Sequence, residues 1–124
     1  METTNTQRIA LRPQLKLPAG KSGPEETFQN ETLRPILKLQ HGLLLKLFEA
    51  YVQKRKPNLI QMADRDRAEW IQEALRKDLR LRNQLCGMVM GMFTETEMQW
   101  FIANETEAMH RLASLLTQRV TSAY

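Results

Sequence analysis

Six polar side chains fall among the hydrophobic positions of predicted helices. They are Arg34, Gln40, His41, Asp78, Arg82 and Glu105. A charged group in a helical core is costly unless it has a partner, so these residues should meet one another or line a polar pocket. Our expectation is a structural network that fixes how the helices dock, in which Asp78 pairs with Arg82 and Glu105 pairs with an arginine. The alternative is a pocket in which Arg34 and Arg82 bind a small anion or a partner's carboxylate.

No residue pattern predicts a reaction, and the sequence therefore favours a non-enzymatic protein. Glu107-Ala-Met-His110 matches the Glu-x-x-His element of carboxylate-bridged di-iron bundles, but those sites need a second such pair and two further glutamates. His41 alone cannot make a zinc site, which takes several protein ligands. Cys86 has apolar neighbours and is expected to be a core thiol. We expect no catalytic residue, no metal and no cofactor.

A set of basic residues near predicted helix ends makes nucleic acid an alternative partner. They are Lys54, Arg55, Lys56, Arg76, Lys77 and Arg80. Such side chains can contact phosphates, although no helix-turn-helix turn, zinc knuckle or aromatic platform accompanies them in the sequence. Basic residues just before Pro57 also complement the helix dipole, which needs no ligand.

Composition and length predict one helical domain. The chain has 124 residues, only five glycines and five prolines, and 18 basic against 14 acidic side chains, for a formal net charge of +4. A single cysteine excludes an internal disulfide and fits a reducing compartment. Neither a signal peptide nor an apolar run long enough to cross a bilayer is evident. We therefore expect a cytoplasmic protein without a membrane partner.

The central element is a predicted helix over residues 33–54. Nearly every position around this helix is apolar, as in a helix against which several others pack. Pro35 suits the first turn, and either Asn30 or Thr32 can cap it. The helix should end just before Pro57.

A second helical region follows. It should begin at Asp64 or Asp66, with Glu69 completing a capping box after Asp66. The helical period continues to Met92, and the region is either continuous or broken between Lys77 and Leu81.

The last helical region should begin with a capping box formed by Thr94 and Glu97 and extend to about Val120. Its apolar positions alternate at spacings of four and three residues, and Glu105 takes the one place where this seam lacks an apolar side chain. The apolar members are Met98, Ile102, Met109, Leu112 and Leu116. Alternatively, the helix breaks at Asn104.

Residues 1–27 should form an irregular N-terminal tail, and residues 28–124 the helical domain. The tail shows no sustained period and is interrupted by prolines. Its hydrophobic residues have the spacing of an extended segment that could lie along a groove. They are Ile9, Leu11, Leu15 and Leu17. The tail is therefore either flexible or pinned on the body or on a second subunit.

Two stretches resemble a family of short, all-helical bacterial proteins of about this length. They are FQNETLRPILKLQHGLL (Phe28 to Leu44) and KDLRLRNQLCGMVMGMFTETE (Lys77 to Glu97). The resemblance covers roughly the last hundred residues and implies an all-helical cytoplasmic domain. It also draws attention to Arg34, Lys38, Gln40, Asp78, Arg82 and Asn83.

Members of such families are often labelled glyoxalase. The metal-dependent lactoylglutathione lyases have a paired βαβββ fold with His and Glu ligands on strands, and the hydrolases have a His-x-His-x-Asp-His run. This sequence contains neither pattern. Glyoxalase activity is therefore kept only as an alternative that the residues do not support.

Together these features predict an all-α bundle of four to five helices with a protein–protein interaction or assembly role, as a homodimer or as part of a larger complex. Nucleic-acid binding and a small-anion pocket are the alternatives. The candidate ligand-binding residues are Arg34, Lys38, Gln40, His41, Asp78, Arg82, Asn83 and Glu105.

Overall fold

The computed structural model describes residues 2–15 and 23–124, and all regular structure in these ranges is helical. The α-helices are α1 (Glu2–Ala10), α2 (Pro24–Phe28), α3 (Arg34–Arg55), α4 (Asp64–Lys77), α5 (Leu79–Met90), α6 (Glu95–Ala103) and α7 (Glu105–Ser122). A π-helical turn (Gln29–Leu33) joins α2 to α3, and a short 3-10 turn (Leu59–Gln61) precedes α4. The predicted all-α class is confirmed. Because α2 and α3 form one continuous helix, the described chain has six separate helices, one more than expected.

The central helix begins earlier than the sequence predicts. It starts at Pro24, directly after Gly23, so the expectation that Asn30 or Thr32 caps it is wrong. The π-helical turn (Gln29–Leu33) is explained by Pro35. Proline has no N–H to donate within an α-helix, and its ring would clash with the preceding turn. The N–H of Arg34, one residue before, accordingly bonds five residues back to the carbonyl of Gln29.

Helix α3 forms the centre of the core but is not buried all round. Leu33, Ile36 and Phe48 are fully buried, and α3 packs against both α5 and α7. Leu43, however, is 60% exposed, so one face of the helix meets solvent. The expectation of an almost completely apolar, enclosed helix is wrong on that face.

Both later helical regions are broken, at positions where the sequence analysis left open whether the helix is continuous. Asp78 lies between α4 and α5 with φ −88° and ψ 94°, and Asn104 lies between α6 and α7 with φ −124° and ψ 33°. Helix α4 begins at Asp64 and has Ala63 before it, so neither aspartate caps the helix through its side chain. Asp64 and Asp66 instead lie in the first turn, where negative charge is favourable.

The predicted capping box at the start of α6 is confirmed. The N–H of Glu97 donates to Thr94 Oγ1 at 3.2 Å, and the N–H of Thr94 donates to Glu97 Oε1 at 2.8 Å. Beyond this cap the predicted seam departs from the structure. Phe101 is buried while Ile102 is 62% exposed, because the break at Asn104 ends the register that the seam required.

The N-terminal segment was expected to be irregular, but Glu2–Ala10 forms the helix α1. The segment 2–15 contacts the helical body through polar groups. Arg12 reaches Glu97, and Asn5 Oδ1 accepts a hydrogen bond of 3.3 Å from the N–H of Glu95. Ile9 and Leu11, which were expected to lie along a groove, are both more than half exposed. The similar expectation for Leu17 falls outside the described residues.

None of the helices in the described ranges is long and apolar enough to cross a membrane.

Candidate functional site

The cleft between the start of α3 and the end of α7 gathers three nitrogen-rich side chains. Arg34 and His41 come from α3, and Arg119 comes from α7, one turn before that helix ends. The cleft has a volume of about 390 Å³. Its remaining lining residues are Leu37, Leu115, Gln118, Ser122 and Ala123. Leu37 and Leu115 contribute apolar surface to the cleft, and the polar groups available to a ligand are mostly donors.

The side chains of Arg119 and His41 are hydrogen-bonded to each other. Arg119 Nη1 lies 3.2 Å from His41 Nδ1. A guanidinium group can only donate, so Nδ1 must accept, which places the imidazole proton on Nε2. His41 is thus neutral when this hydrogen bond forms, and its Nε2–H remains a donor.

Arg34 and Arg119 face the cleft without a carboxylate. Arg34 Nε donates to Asn30 Oδ1 at 3.0 Å, and neither arginine forms an ion pair with another described residue. Burial lowers the pKa of Arg119, and the positive charge of Arg34 lowers it further. Two half-buried guanidinium groups therefore repel each other in a cleft whose described lining contains no acid.

This arrangement suits an oxyanion. Guanidinium groups bind carboxylate and phosphate through paired, charge-assisted hydrogen bonds, which are about twice as strong as neutral ones. A bound anion would also relieve the repulsion between Arg34 and Arg119.

The structure does not bring the six misplaced polar residues into one network. It places Arg34 and His41 in the same cleft, whereas Gln40 Nε2 donates to the carbonyl of Met88 at 3.3 Å on the side of α3 that faces α5. Arg82 lines a second pocket between α4, α5 and α7. Of the other candidate residues, Lys38, Asn83 and Glu105 are all exposed.

Both predicted ion pairs are wrong. Asp78 does not pair with Arg82, because its carboxylate caps α5 by accepting the N–H of Leu81, and only its backbone carbonyl bonds to Arg82. Asp78 binds Arg55 instead. Glu105 is the first residue of α7, where it is exposed and makes no ion pair with a described arginine.

The most buried ion pair was missed by sequence reasoning. Arg12 donates to both carboxylate oxygens of Glu97 at 2.7 Å and to the carbonyl of Met92 at 2.8 Å. Thr32 Oγ1 adds a donor to Glu97 at 2.9 Å. The side chains of Arg12 and Glu97 are only 7% and 17% exposed, so this pair fixes the N-terminal segment on the body.

Arg119 was also missed, although a signal for it exists. The seam of four- and three-residue spacings that reaches Leu112 and Leu116 continues to position 119. Arg119 therefore occupies a core-facing position, which is the property that drew attention to Glu105.

The described residues contain no group of three His, Cys, Asp or Glu side chains placed to hold a metal ion. His110 is exposed, and Glu107 binds Arg111 on the surface of α7. Cys86 is buried, as expected for a core thiol, and burial raises its pKa to about 11.

The predicted phosphate-binding residues gather where the end of α3 meets the junction of α4 and α5. Lys54, Arg55 and Arg80 line one cleft there, and Arg55 and Lys77 line the groove beside it. The two acidic residues at this end, Glu73 and Asp78, are those bound by Lys77 and Arg55 respectively. Lys54, Arg55, Lys77 and Arg80 thus face two acidic residues here, whereas Arg76 lines a different pocket and Lys56 lines neither of these two clefts.

Aromatic rings accompany these basic residues, contrary to the sequence expectation. Tyr51 and Trp70 both line the groove, and their ring centroids lie 6.1 Å apart. The guanidinium carbon of Arg55 lies 4.1 Å from the centre of the Tyr51 ring. Their proximity was not evident because the two rings come from different helices.

Comparison with known proteins gives no match to this chain: no family model fits it, and no curated protein or solved structure is significantly similar to it.

Proposed function

We propose that this protein is a recognition module that binds an anionic group in the cleft between α3 and α7. The supporting observation is that Arg34 and Arg119, both half-buried, line this cleft with His41 and with no acidic residue among the described lining. Structural arginines at helix interfaces usually have a carboxylate partner, because unpaired buried charge is costly. A ligand or a partner protein would supply the missing negative charge.

The repulsion between Arg34 and Arg119 should lower the free energy of unfolding of the protein when no anion is bound. Replacing Arg119 by Met keeps the packing of the aliphatic stem and removes a charge that lies near Arg34. We expect Arg119→Met to raise the free energy of unfolding by about 0.2–1 kcal/mol at low salt, the range measured for solvent-screened charge pairs. The gain should shrink as salt is added. If Arg119 had only a structural role, Arg119→Met would instead lower the free energy of unfolding.

Anion binding is tested most directly by titrating the protein with inorganic phosphate and following backbone and arginine Nε signals by NMR. We expect Arg34 and Arg119 to shift together and the signals near Glu69 to stay fixed. Arg34→Gln and Arg119→Gln should each weaken binding about tenfold or more, because each removes a charge-assisted hydrogen bond. Lys46→Gln is the matched control, since Lys46 is an exposed cation of α3 outside the cleft.

Equal loss of binding in the Lys46→Gln control would show that phosphate senses only the net charge. A titration in which Arg34 and Arg119 do not respond would contradict the proposal outright.

Nucleic acid is a second candidate, because the excess positive charge at the end of α3 lies beside Tyr51 and Trp70. Single-stranded nucleic acids bind to proteins through basic grooves and exposed aromatic faces. Fluorescence anisotropy with a labelled deoxythymidine oligomer measures this over a range of salt. We expect the slope of log affinity against log salt to fall by about 1 in Lys54→Gln and in Arg80→Gln. Binding that does not weaken between low and physiological salt would exclude a phosphate-backbone mechanism.

A further inference from the structure

A second basic pocket lies on the other side of α7. It is lined by residues of α4, α5 and α7 and has a volume of about 420 Å³. The basic side chains that line it are Arg76, Arg82 and His110, and none of its described lining residues is acidic. Leu75, Ala113 and Leu116 contribute apolar wall. The pocket can therefore take both a negative charge and a hydrocarbon group.

Arg82 is the unpaired cation of this second pocket. Arg76 is held by Glu73, whose two carboxylate oxygens lie 2.9 Å from Arg76 Nη2. Arg82 is half-buried and has neither an ion pair nor a side-chain hydrogen bond within the described parts of the chain. Its guanidinium group is thus free to bind an external carboxylate.

The two pockets meet at Gln118, which lines both of them. His110, Ser114 and Gln118 are exposed at every fourth position of α7 and line the second pocket, which reaches the first pocket at Gln118. The linings of the two pockets extend along α7 from His110 in one to Arg119 in the other, an axial length of about 13.5 Å at 1.5 Å per residue. An extended peptide covers about 3.3–3.6 Å per residue, so four or five residues span this distance.

We infer that the occupant of this surface is an acidic segment of a partner protein that crosses α7 at Gln118. One acidic side chain binds Arg34 and Arg119, and a second, four or five residues away, binds Arg82. This inference rests on the proposed function, since it names the source of the anion bound in the cleft between α3 and α7.

Three observations favour a peptide over a small anion. A single phosphate or carboxylate cannot reach both arginine sites. A chain of phosphates could reach both, but its charged oxygens would lie against the apolar surface that Leu75, Ala113 and Leu116 contribute to the second pocket. The amide of Gln118 offers a donor and an acceptor where the pockets meet, which suits the backbone of an extended peptide.

The experiment compares capped peptides by NMR titration of the full chain. The diacidic probe is acetyl-Glu-Gly-Leu-Gly-Glu-amide, and the monoacidic probe replaces one glutamate by glutamine. We expect the diacidic peptide to bind about tenfold more tightly, because it makes a second charge-assisted contact. Arg82→Gln should reduce its affinity to that of the monoacidic peptide and should leave the affinity for inorganic phosphate unchanged.

Lys46→Gln again serves as the control, because it removes an exposed charge outside both pockets. Arg82→Lys keeps the charge but loses the planar fork, and should restore only part of the affinity. Since Arg82 has no partner to lose, these variants should give the native pattern of amide signals.

The outcomes separate the two proposals. If both peptides bind equally, or if Arg82→Gln has no effect, the acidic-segment assignment is wrong while phosphate binding at Arg34 and Arg119 can still stand. If tetrapolyphosphate binds more tightly than the diacidic peptide and depends on Arg82, the occupant is a phosphate chain and the assignment is overturned. If neither phosphate nor peptide depends on Arg119, both proposals fail.

Discussion

Arg55 binds Asp78 across the break between α4 and α5, with 3.1 Å between Arg55 Nη2 and Asp78 Oδ2. The other carboxylate oxygen of Asp78 accepts the N–H of Leu81, also at 3.1 Å, and so caps α5. One side chain therefore both starts a helix and joins it to the end of α3. The two contributions can be measured separately.

Asp78→Ala should lower the free energy of unfolding by about 1 kcal/mol, because it removes the cap of α5. Asp78→Asn keeps a capping oxygen and loses only the charge, and an ion pair this exposed contributes at most about 1 kcal/mol. We therefore expect Asn to cost less than Ala in urea denaturation. Equal costs for the two variants would mean that the bond to Arg55, and not the cap, dominates.

Breaking the buried pair of Arg12 and Glu97 should lower the free energy of unfolding far more than the substitutions of Asp78 do. Glu97→Gln keeps a capping-box residue at the start of α6 but leaves the guanidinium of Arg12 without its counter-charge. Removing one partner from a buried pair typically costs about 3–5 kcal/mol. Urea denaturation should place this variant near that range, whereas Arg65→Gln, which removes an exposed pair with Glu69, should change stability by less than about 0.5 kcal/mol.

Acid should destabilise the protein through the same carboxylate. Burial by itself raises the pKa of Glu97, but hydrogen bonds from Arg12, the Thr94 N–H and Thr32, together with the charge of Arg12, bring it below the usual 4.5. The folded protein thus binds this proton more weakly than the unfolded chain does. The stabilisation is present above pH 4.5 and is lost as the pH falls through the lower, folded-state pKa.

The difference in free energy of unfolding between the native protein and Glu97→Gln should accordingly narrow on acidification. Denaturation curves at several pH values between neutrality and the acid limit measure it. A difference that stays constant throughout this range would show that the carboxylate is not stabilised by folding.

Cys86 should be protected from thiol reagents until the protein unfolds. The side chain is only 2% exposed, and burial raises its pKa from 9.0 to about 11, against a smaller opposing effect from the charge of Arg82. Between these two values the unfolded chain loses its thiol proton first, so stability should fall as the pH rises from 9 to about 11. Labelling with an aromatic disulfide at pH 8 should be slow in buffer and fast in concentrated urea, and similar rates would contradict the buried position.

Local patterns in the sequence predicted those parts of the fold that depend on neighbouring residues. The capping box of Thr94 and Glu97, which lies within four residues, was predicted, whereas the breaks at Asp78 and Asn104 were only alternatives to continuous helices. The start of the central helix was misplaced because Pro35, which usually begins a helix, lies here just after a π-helical turn.

The candidate site was only partly predictable, since its members come together through tertiary packing. Arg34 and His41 were recognisable as polar residues on an apolar face, but their neighbour Arg119 lies 78 residues beyond His41. Arg82 was recognised for the right reason and assigned the wrong partner, because the carboxylate of Asp78 caps α5 at Leu81 and binds Arg55 instead. The roles of Lys38, Asn83 and Glu105 in ligand binding stay predictions.

The contact between Arg12 and Glu97 also has a consequence for the order of events during synthesis of the chain. The two residues are 85 positions apart, so at translation rates of about 5–20 residues per second Glu97 is made roughly 4–17 s after Arg12. During that interval the guanidinium group has no carboxylate to bind, and the segment 2–15 cannot dock as it does in the finished protein. Factors that act on nascent chains therefore meet this segment before the fold can cover it.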